Sequence, residues 1–517
     1  MERMSPDQLK SMRRSAWRTW GIAVIVAVLV VLPACRKLGT ARPVAVALGA
    51  TSDTLDPHLH NETVLWSLLA NFYEGLTRFD GEMRVVPGLA ASWERLDPYR
   101  TRFELRAGAS FHDGSPVSPD DVAASLSRAR THPRSRVGHH LMDVEEVTSD
   151  GERAVVIRTG SPSATLVNRL ALVMVMPAAL SEQEEIREPM GTGPYRFVRQ
   201  TAGGTIVARA VRGSGRRPQV KSVHFQMGAP LETRLALLTS GAVDVLGRLP
   251  DHALRDLERH PAVRVLPQPR LSVQYLAVVP GAAPEPIRDW LADPRVRRAF
   301  LLGLNRWELV NRGYLGNGTV ASQMVHPVVF GFDSSLTSLP YDPAAARRLL
   351  EEAGPIPDHE LVLGFGEVQP AIIDQIVRDL TALGLRVRPR QMMFGELWQR
   401  AFDQELPLVY HGRTAVTGDA AEILNVNLAT RRPESGWGLG NMTGYSNPKV
   451  DDLLEFAEGE DRPEVRLGAL QQAQRLILQD LPILPLTIRF GHVAVSPRID
   501  LTPRYDEWLL AEEFRWR

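Results

Sequence analysis

The chain has a single cysteine, Cys35, in 517 residues, so no intramolecular disulfide can form and the fold must be held by burial alone. Lysine is nearly as scarce, at positions 10, 37, 221 and 449, so arginine carries almost all of the positive charge. Neither sign dominates. The 60 Lys and Arg residues balance 60 Asp and Glu, and the arginines are scattered among carboxylates, which leaves no basic stripe for nucleic acid. There is no internal repeat and no low-complexity linker. Catalytic signatures are also missing: no Gly-x-Ser-x-Gly elbow, no Walker loop, no His-Glu-x-x-His and no dinucleotide fingerprint. His58 with His60, and His139 with His140, lack a third ligand at metal-site spacing and read as surface or turn histidines. Gly191-Thr192-Gly193-Pro194 reads as a turn entering a strand, and Phe111-His112-Asp113-Gly114 as a turn after one. The sequence therefore points away from an enzyme and calls for no metal and no cofactor.

What is present begins at the N-terminus. Arg3, Lys10, Arg13, Arg14 and Arg18 outnumber Glu2 and Asp7, and Gly21 to Ala34 carries no charge. This is the n-region and h-region of a signal peptide over residues 1–34. As a helix the apolar run would rise about 21 Å, short of the roughly 30 Å hydrocarbon core, so cleavage is expected rather than a permanent span. Leu32-Pro33-Ala34-Cys35 resembles the lipobox at which bacteria acylate a thiol and then cleave; the other reading is a lone structural cysteine. A lipidated Cys35 would tether an otherwise soluble domain to a membrane and place it outside the cytoplasm.

Beyond the leader, a 44 % hydrophobic content supplies ample core. A β-type run at Val44 to Ala50 precedes a helix expected from Thr63 to Tyr73. Arg102 to Arg106 alternates as a half-buried strand. Ser118-Pro119-Asp120-Asp121 opens a helix with Ser118 as its cap, and Asp342-Pro343 opens another that ends at Ala353-Gly354. Arg295 to Tyr314 and Pro463 to Leu478 are further amphipathic helices. Alternating strands and helices imply a mixed α/β fold of two or three domains.

The punctuation along the chain resembles the family 5 solute-binding proteins of ABC importers, which include oligopeptide, dipeptide and nickel binders. The resemblance runs from about residue 44 to the C-terminus. It is carried by Leu55-Asp56-Pro57-His58, Tyr73-Glu74-Gly75-Leu76, Pro87-Gly88-Leu89-Ala90, Gly191 to Tyr195, Gly241-Ala242-Val243-Asp244, Tyr341-Asp342-Pro343, Gly444 to Pro448 and Leu481 to Leu486. It implies the two-lobed periplasmic-binding-protein fold of type II, mixed sheets flanked by helices, with an extra subdomain on lobe I. The implied boundaries are lobe I at 36–79, 189–272 and 486–517, the extra subdomain at 80–188, and lobe II at 273–485.

By the same resemblance the ligand lies between the lobes. The loop Asn61, Glu62 and Thr63 corresponds to one that pairs with peptide backbone, although Thr63 also suits an N-cap. In peptide binders, Gly-Trp is followed three residues after the Trp by an aspartate that holds the peptide's α-ammonium. Here the segment reads His411-Gly412-Arg413-Thr414-Ala415-Val416-Thr417-Gly418-Asp419, with Arg413 in place of the tryptophan and Val416 in place of the aspartate. A buried, unpaired ammonium costs several kcal/mol, so Asp419 or Glu62 would have to replace the missing carboxylate, or the ligand is neutral or anionic and meets Arg413. Arg413 could equally pair with Asp419. Trp398, Tyr410 and Trp437 are candidates for lining the cleft. The implied function is a lipid-anchored receptor that hands peptides to ABC permease subunits. An oligosaccharide, acidic solute or metal chelate as ligand, and a sensory receptor of the same fold, are the alternatives.

Overall fold

The computed structural model describes residues 42–51, 54–211 and 216–517. The expected signal peptide and Cys35 lie outside them, and among the described residues no helix is long and apolar enough to cross a membrane. Val44–Leu48 is a run of five apolar residues, all buried, as expected of a strand covered on both faces. It pairs in parallel with Ser222–Met227 and with Val245–Leu246. The sheet built on it has seven strands, in the order Arg264–Gln268, Gly491–Val495, Val245–Leu246, Val44–Leu48, Ser222–Met227, Ile206–Ala210 and Tyr195–Gln200. A second sheet of six strands runs Gly318–Val320, Ile483–Arg489, Ser272–Val278, Leu408–Thr414, Glu360–Phe365 and Arg386–Gln391. A third, antiparallel, sheet has four strands spanning Ala90 to Thr159. In its strand Arg100–Leu105 burial alternates residue by residue, the pattern of a sheet with one face on the core.

The two large sheets are joined by one feature. In the first, Arg264–Gln268 pairs antiparallel with Gly491–Val495; in the second, Ser272–Val278 pairs antiparallel with Ile483–Arg489. A single two-stranded ribbon thus runs through both sheets, interrupted only at residues 269–271 on one strand and Phe490 on the other.

Local sequence explains several helix ends. Ser118 and Asp121 form a reciprocal capping box and Pro119 occupies the first turn of Pro119–Thr131, as the sequence indicates. Pro343–Ala353 starts on the Asp342 side chain and ends at Gly354, whose φ is 105°, a backbone region that favours glycine. Two expectations are corrected. The single helix expected over Arg295 to Tyr314 is broken: Pro294–Gly303 stops at an extended Leu304, and Asn305 starts a new turn by accepting a hydrogen bond from the Glu308 amide. An Asn side chain that captures a backbone N–H competes with helix continuation, and the break turns Arg306 inward onto the Ala321 carbonyl. The helix expected to Tyr73 ends at Leu69 and runs on as a hydrogen-bonded turn in which the Tyr73 amide donates to the Leu69 carbonyl; within that turn Asn71 donates to the Ser67 and Leu509 carbonyls and accepts from the Ala511 amide. Glu62, not Thr63, is the N-cap, and it makes no side-chain cap bond.

His58 and His140 are not surface groups; they are 0 % and 4 % exposed. His58 belongs to a buried knot in which Arg128 clasps both oxygens of Asp56 at 3.0 and 2.6 Å and also meets His58 Nδ1 at 3.1 Å. Asp56 further accepts from the amides of His58 and Ile186. The Leu55-Asp56-Pro57-His58 motif is thus structural: it ties the entry of the first helix to Pro119–Thr131.

Breaking a buried pair leaves an uncompensated charge and costs about 3 to 5 kcal/mol. Arg128→Ala is expected to destabilise the protein by that amount in urea unfolding, and a change below about 1 kcal/mol would show that the knot is not buried in solution. Burial, the largest cause in each case, lowers His58, His326 and His411 to about 4. The unfolded chain protonates near 6.5 and the folded one only near 4, so stability present above pH 6.5 is lost as pH falls to 4, by about 1.4 kcal/mol per pH unit for a fully buried group. Urea midpoints taken between pH 7 and pH 4 check this, and His58→Gln is expected to flatten the slope.

Candidate functional site

Where the ribbon is interrupted, a cavity of about 600 Å³ opens. Arg270, Leu271, Ser272 and Arg489 line it from the ribbon itself. Thr63, Trp66 and Arg248 come from the first sheet's side, and Gln274, Tyr314, Glu367, Tyr410, Thr414 and Val416 from the second. The C-terminal tail completes the wall with Tyr505 to Trp508. That tail is clamped by Arg504, which is 2 % exposed and pairs with Asp506 at 2.6 Å and Glu513 at 2.7 Å. A volume of this size suits a small solute.

The wall's charges divide into spent and free. Arg270 meets Glu507 at 3.1 Å, and burial, partly offset by Glu507, lowers its pKa. Its side chain crosses the ribbon over Gly491, where a Cβ would fall 2.5 Å from Arg270 Nε and push the guanidinium aside. Arg489 pairs with Asp251 at 2.9 Å and lies over the Tyr314 ring. Tyr314 and Tyr410 share a hydroxyl contact of 3.0 Å, and burial raises both. Among the described residues, Arg248 and Glu367 make no ion pair or side-chain hydrogen bond. They carry opposite charges and come from opposite sides of the cavity. Arg248 and Glu507 also have left-handed backbone, with φ of 56° and 62°. Such strain costs about 1 to 2 kcal/mol per residue and collects at functional sites.

Four of the residues singled out from sequence line this cavity: Thr63, Tyr410, Thr414 and Val416. Asn61 and Glu62 are exposed before the first helix, outside the wall. Trp398, His411 and Arg413 are not in the wall and meet one another instead, His411 edge-on to Trp398, the Arg413 guanidinium 5.1 Å from the Trp398 ring centre and its Nε donating to Asn427 at 2.9 Å. Ala415 is buried. Asp419 does not pair with Arg413; it is held bidentately by Arg466 at 2.6 and 3.0 Å and caps the helix Ala420–Asn427. Trp437 packs under Arg432. The residues that sequence reasoning missed, Trp66, Arg248, Arg270, Glu367, Arg489 and Trp508, lie in no motif, and no spacing connects them.

Away from the ribbon, the segment carrying the four-stranded sheet touches the second large sheet's side directly. Asn168 donates to the Thr417 carbonyl at 2.9 Å, the Ala164 amide to the Glu458 carbonyl at 3.0 Å, and Arg95 pairs with Asp461.

The profile of the bacterial extracellular solute-binding proteins, family 5, matches residues 84–434. The chain belongs to that family. It is therefore a substrate-binding protein of ABC transporters and not an enzyme. The chain is 28 % identical over 493 residues to a glutathione-binding protein, GsiB, of Pectobacterium atrosepticum, covering 90 % of this chain and 91 % of that one. Among solved structures, HbpA2 of Haemophilus parasuis superposes with a TM-score of 0.81 at 21 % identity, covering 92 % of this chain and 100 % of that one. The periplasmic binding protein DppA of Helicobacter pylori, in complex with the peptide STSA, gives 0.74 at 19 % identity, covering 92 % and 98 %. The fold of this solute-binding protein is accordingly the type II periplasmic-binding-protein fold.

Relieving left-handed backbone with glycine gains about 1 to 2 kcal/mol, and glycine's extra freedom in the unfolded chain returns about 0.4 to 1. Arg248→Gly is therefore expected to leave the protein as stable or to stabilise it, by about 0 to 1.6 kcal/mol in urea unfolding. A destabilised variant would mean that the Arg248 side chain serves the fold.

Proposed function

We propose that this protein is a lipid-anchored extracytoplasmic receptor that encloses a short peptide between two lobes and delivers it to an ABC permease. The two large sheets are the cores of the lobes, the ribbon is their hinge, and the four-stranded sheet belongs to an extra subdomain of the first. The observation that carries this reading is the pair of free charges in the cavity, Glu367 from one side and Arg248 from the other. A peptide is a zwitterion. With its ammonium on Glu367 and a carboxylate near Arg248 it would touch both lobes, and a ligand favours closure only through contacts that the closed state makes better. Glu367 would then do what the family's aspartate does where this chain has Val416. Peptides bound by the relatives, glutathione among them, fit the same chemistry, and acylation of Cys35 would hold the receptor at the membrane.

A second reading, an acidic non-peptide solute, is favoured by the three arginines in the wall and by Val416. The two separate by experiment on the full chain purified in detergent. At about 100 times its dissociation constant a ligand adds about 2.7 kcal/mol, which moves the melting midpoint visibly. Free-amine tripeptides are expected to stabilise the protein and their N-acetylated forms to do so far less. Glu367→Gln is expected to weaken free-amine peptides about tenfold or more, since hydrogen bonds to charged groups contribute about 1.5 to 3 kcal/mol. Equal binding of acetylated peptides removes Glu367 from the role. Stabilisation by organic acids alone favours the second reading.

A further inference from the structure

Beside the main cavity lies a smaller chamber of about 270 Å³. The two share Thr63, Arg248 and Glu507 in their walls, so they meet at a common neck. Both non-glycine residues with left-handed backbone in the main cavity's wall, Arg248 and Glu507, stand at this neck. The chamber's other charged residue is Arg234, from the first turn of the helix Leu231–Thr239.

The charge balance of the chamber is incomplete. Glu507 already faces Arg270 at 3.1 Å. Arg234 donates from Nε to the Ala229 carbonyl at 3.0 Å, and among the described residues its two terminal nitrogens meet no carboxylate or carbonyl. The backbone of Gly49 lies against them: a Cβ there would fall 3.0 Å from Nη2 and 3.1 Å from the guanidinium carbon. A glycine thus leaves the planar fork in an uncrowded slot. Burial lowers the pKa of Arg234, with no partner to offset it. Two guanidinium groups, one half-buried and both without a carboxylate, line a space with room for one side chain and its waters. A guanidinium fork matches a carboxylate in two parallel hydrogen bonds.

We infer that this chamber is an anion subsite in which Arg234 and Arg248 receive a carboxylate of the bound solute, either an acidic side chain or the terminal carboxylate, and so set the preference for acidic ligands. The inference rests on the receptor reading above and deepens it. Arg234 is the specificity-determining residue, and Arg248 at the neck serves both spaces.

Calorimetric titration of the full chain with Ala-Glu-Ala, Ala-Gln-Ala and the C-terminal amide of Ala-Gln-Ala tests it. Wild type is expected to prefer Ala-Glu-Ala over Ala-Gln-Ala, or the free terminus over the amide, by about tenfold, the ratio of one charge-assisted contact. Whichever preference disappears in Arg234→Gln identifies the carboxylate that the chamber takes. Arg234→Lys, which keeps the charge without the fork, is expected to restore it in part. An unchanged melting midpoint of the unliganded variant separates lost recognition from lost folding. If Arg234→Gln binds all three peptides as wild type does, the subsite is overturned and the peptide receptor stands. If wild type binds none of them, the peptide reading falls. Glutarate then decides the chamber separately: stabilisation that Arg234→Gln abolishes supports it, and no Arg234-dependent stabilisation overturns it.

Discussion

The antiparallel ribbon shared by the two large sheets is the constraint on which the rest of the structure depends. Its strands pair within each sheet, Arg264–Gln268 with Gly491–Val495 and Ser272–Val278 with Ile483–Arg489, and both lose their ladder at the same level. A hinge needs a few residues at the ends of elements to absorb backbone change while the elements stay rigid. Residues 269–271 and Phe490 are the element ends at that break, and each side of the break is anchored in its own sheet; on the receptor reading proposed above they are the hinge. The cavity opens at this level, with walls drawn from the elements of both sheets.

The electrostatics of the cavity follow from the same placement. Arg270 and Arg489 leave the ribbon at its break and are each met by an acid, Glu507 and Asp251. Among the described residues Arg248 and Glu367 have no such partner, and on the reading proposed above they are the groups that a zwitterion satisfies.

The wall is finished by the far end of the chain. Arg504, buried between Asp506, Glu513 and the Phe79 carbonyl, and the Asn71 clasp on Leu509 and Ala511 hold the last segment against the first helix. Glu507 and Trp508 reach the cavity only because of that return.

Much was legible in the sequence because it is written in local chemistry. Ser118-Pro119-Asp120-Asp121, Asp342-Pro343 and Gly354 set helix ends within one turn of themselves, and the apolar run at Val44 reads as a covered strand whatever surrounds it. The order of short motifs identified the family, and with it the fold. Thr63, Tyr410, Thr414 and Val416 could be pointed to because they sit in motif-bearing segments. What the sequence alone could not determine was which charges are free. Asp419 and Arg413 are six residues apart and looked like partners, yet Arg466 and Asn427 take them, because the partner that wins is the one that packing brings to within 3 Å. Arg234, Arg248, Glu367 and Glu507 come from segments far apart in sequence, and only the tertiary structure decides that they surround adjoining spaces. A side chain's propensity acts over a few residues, whereas its charge is paired or left unpaired by whatever the whole fold brings beside it.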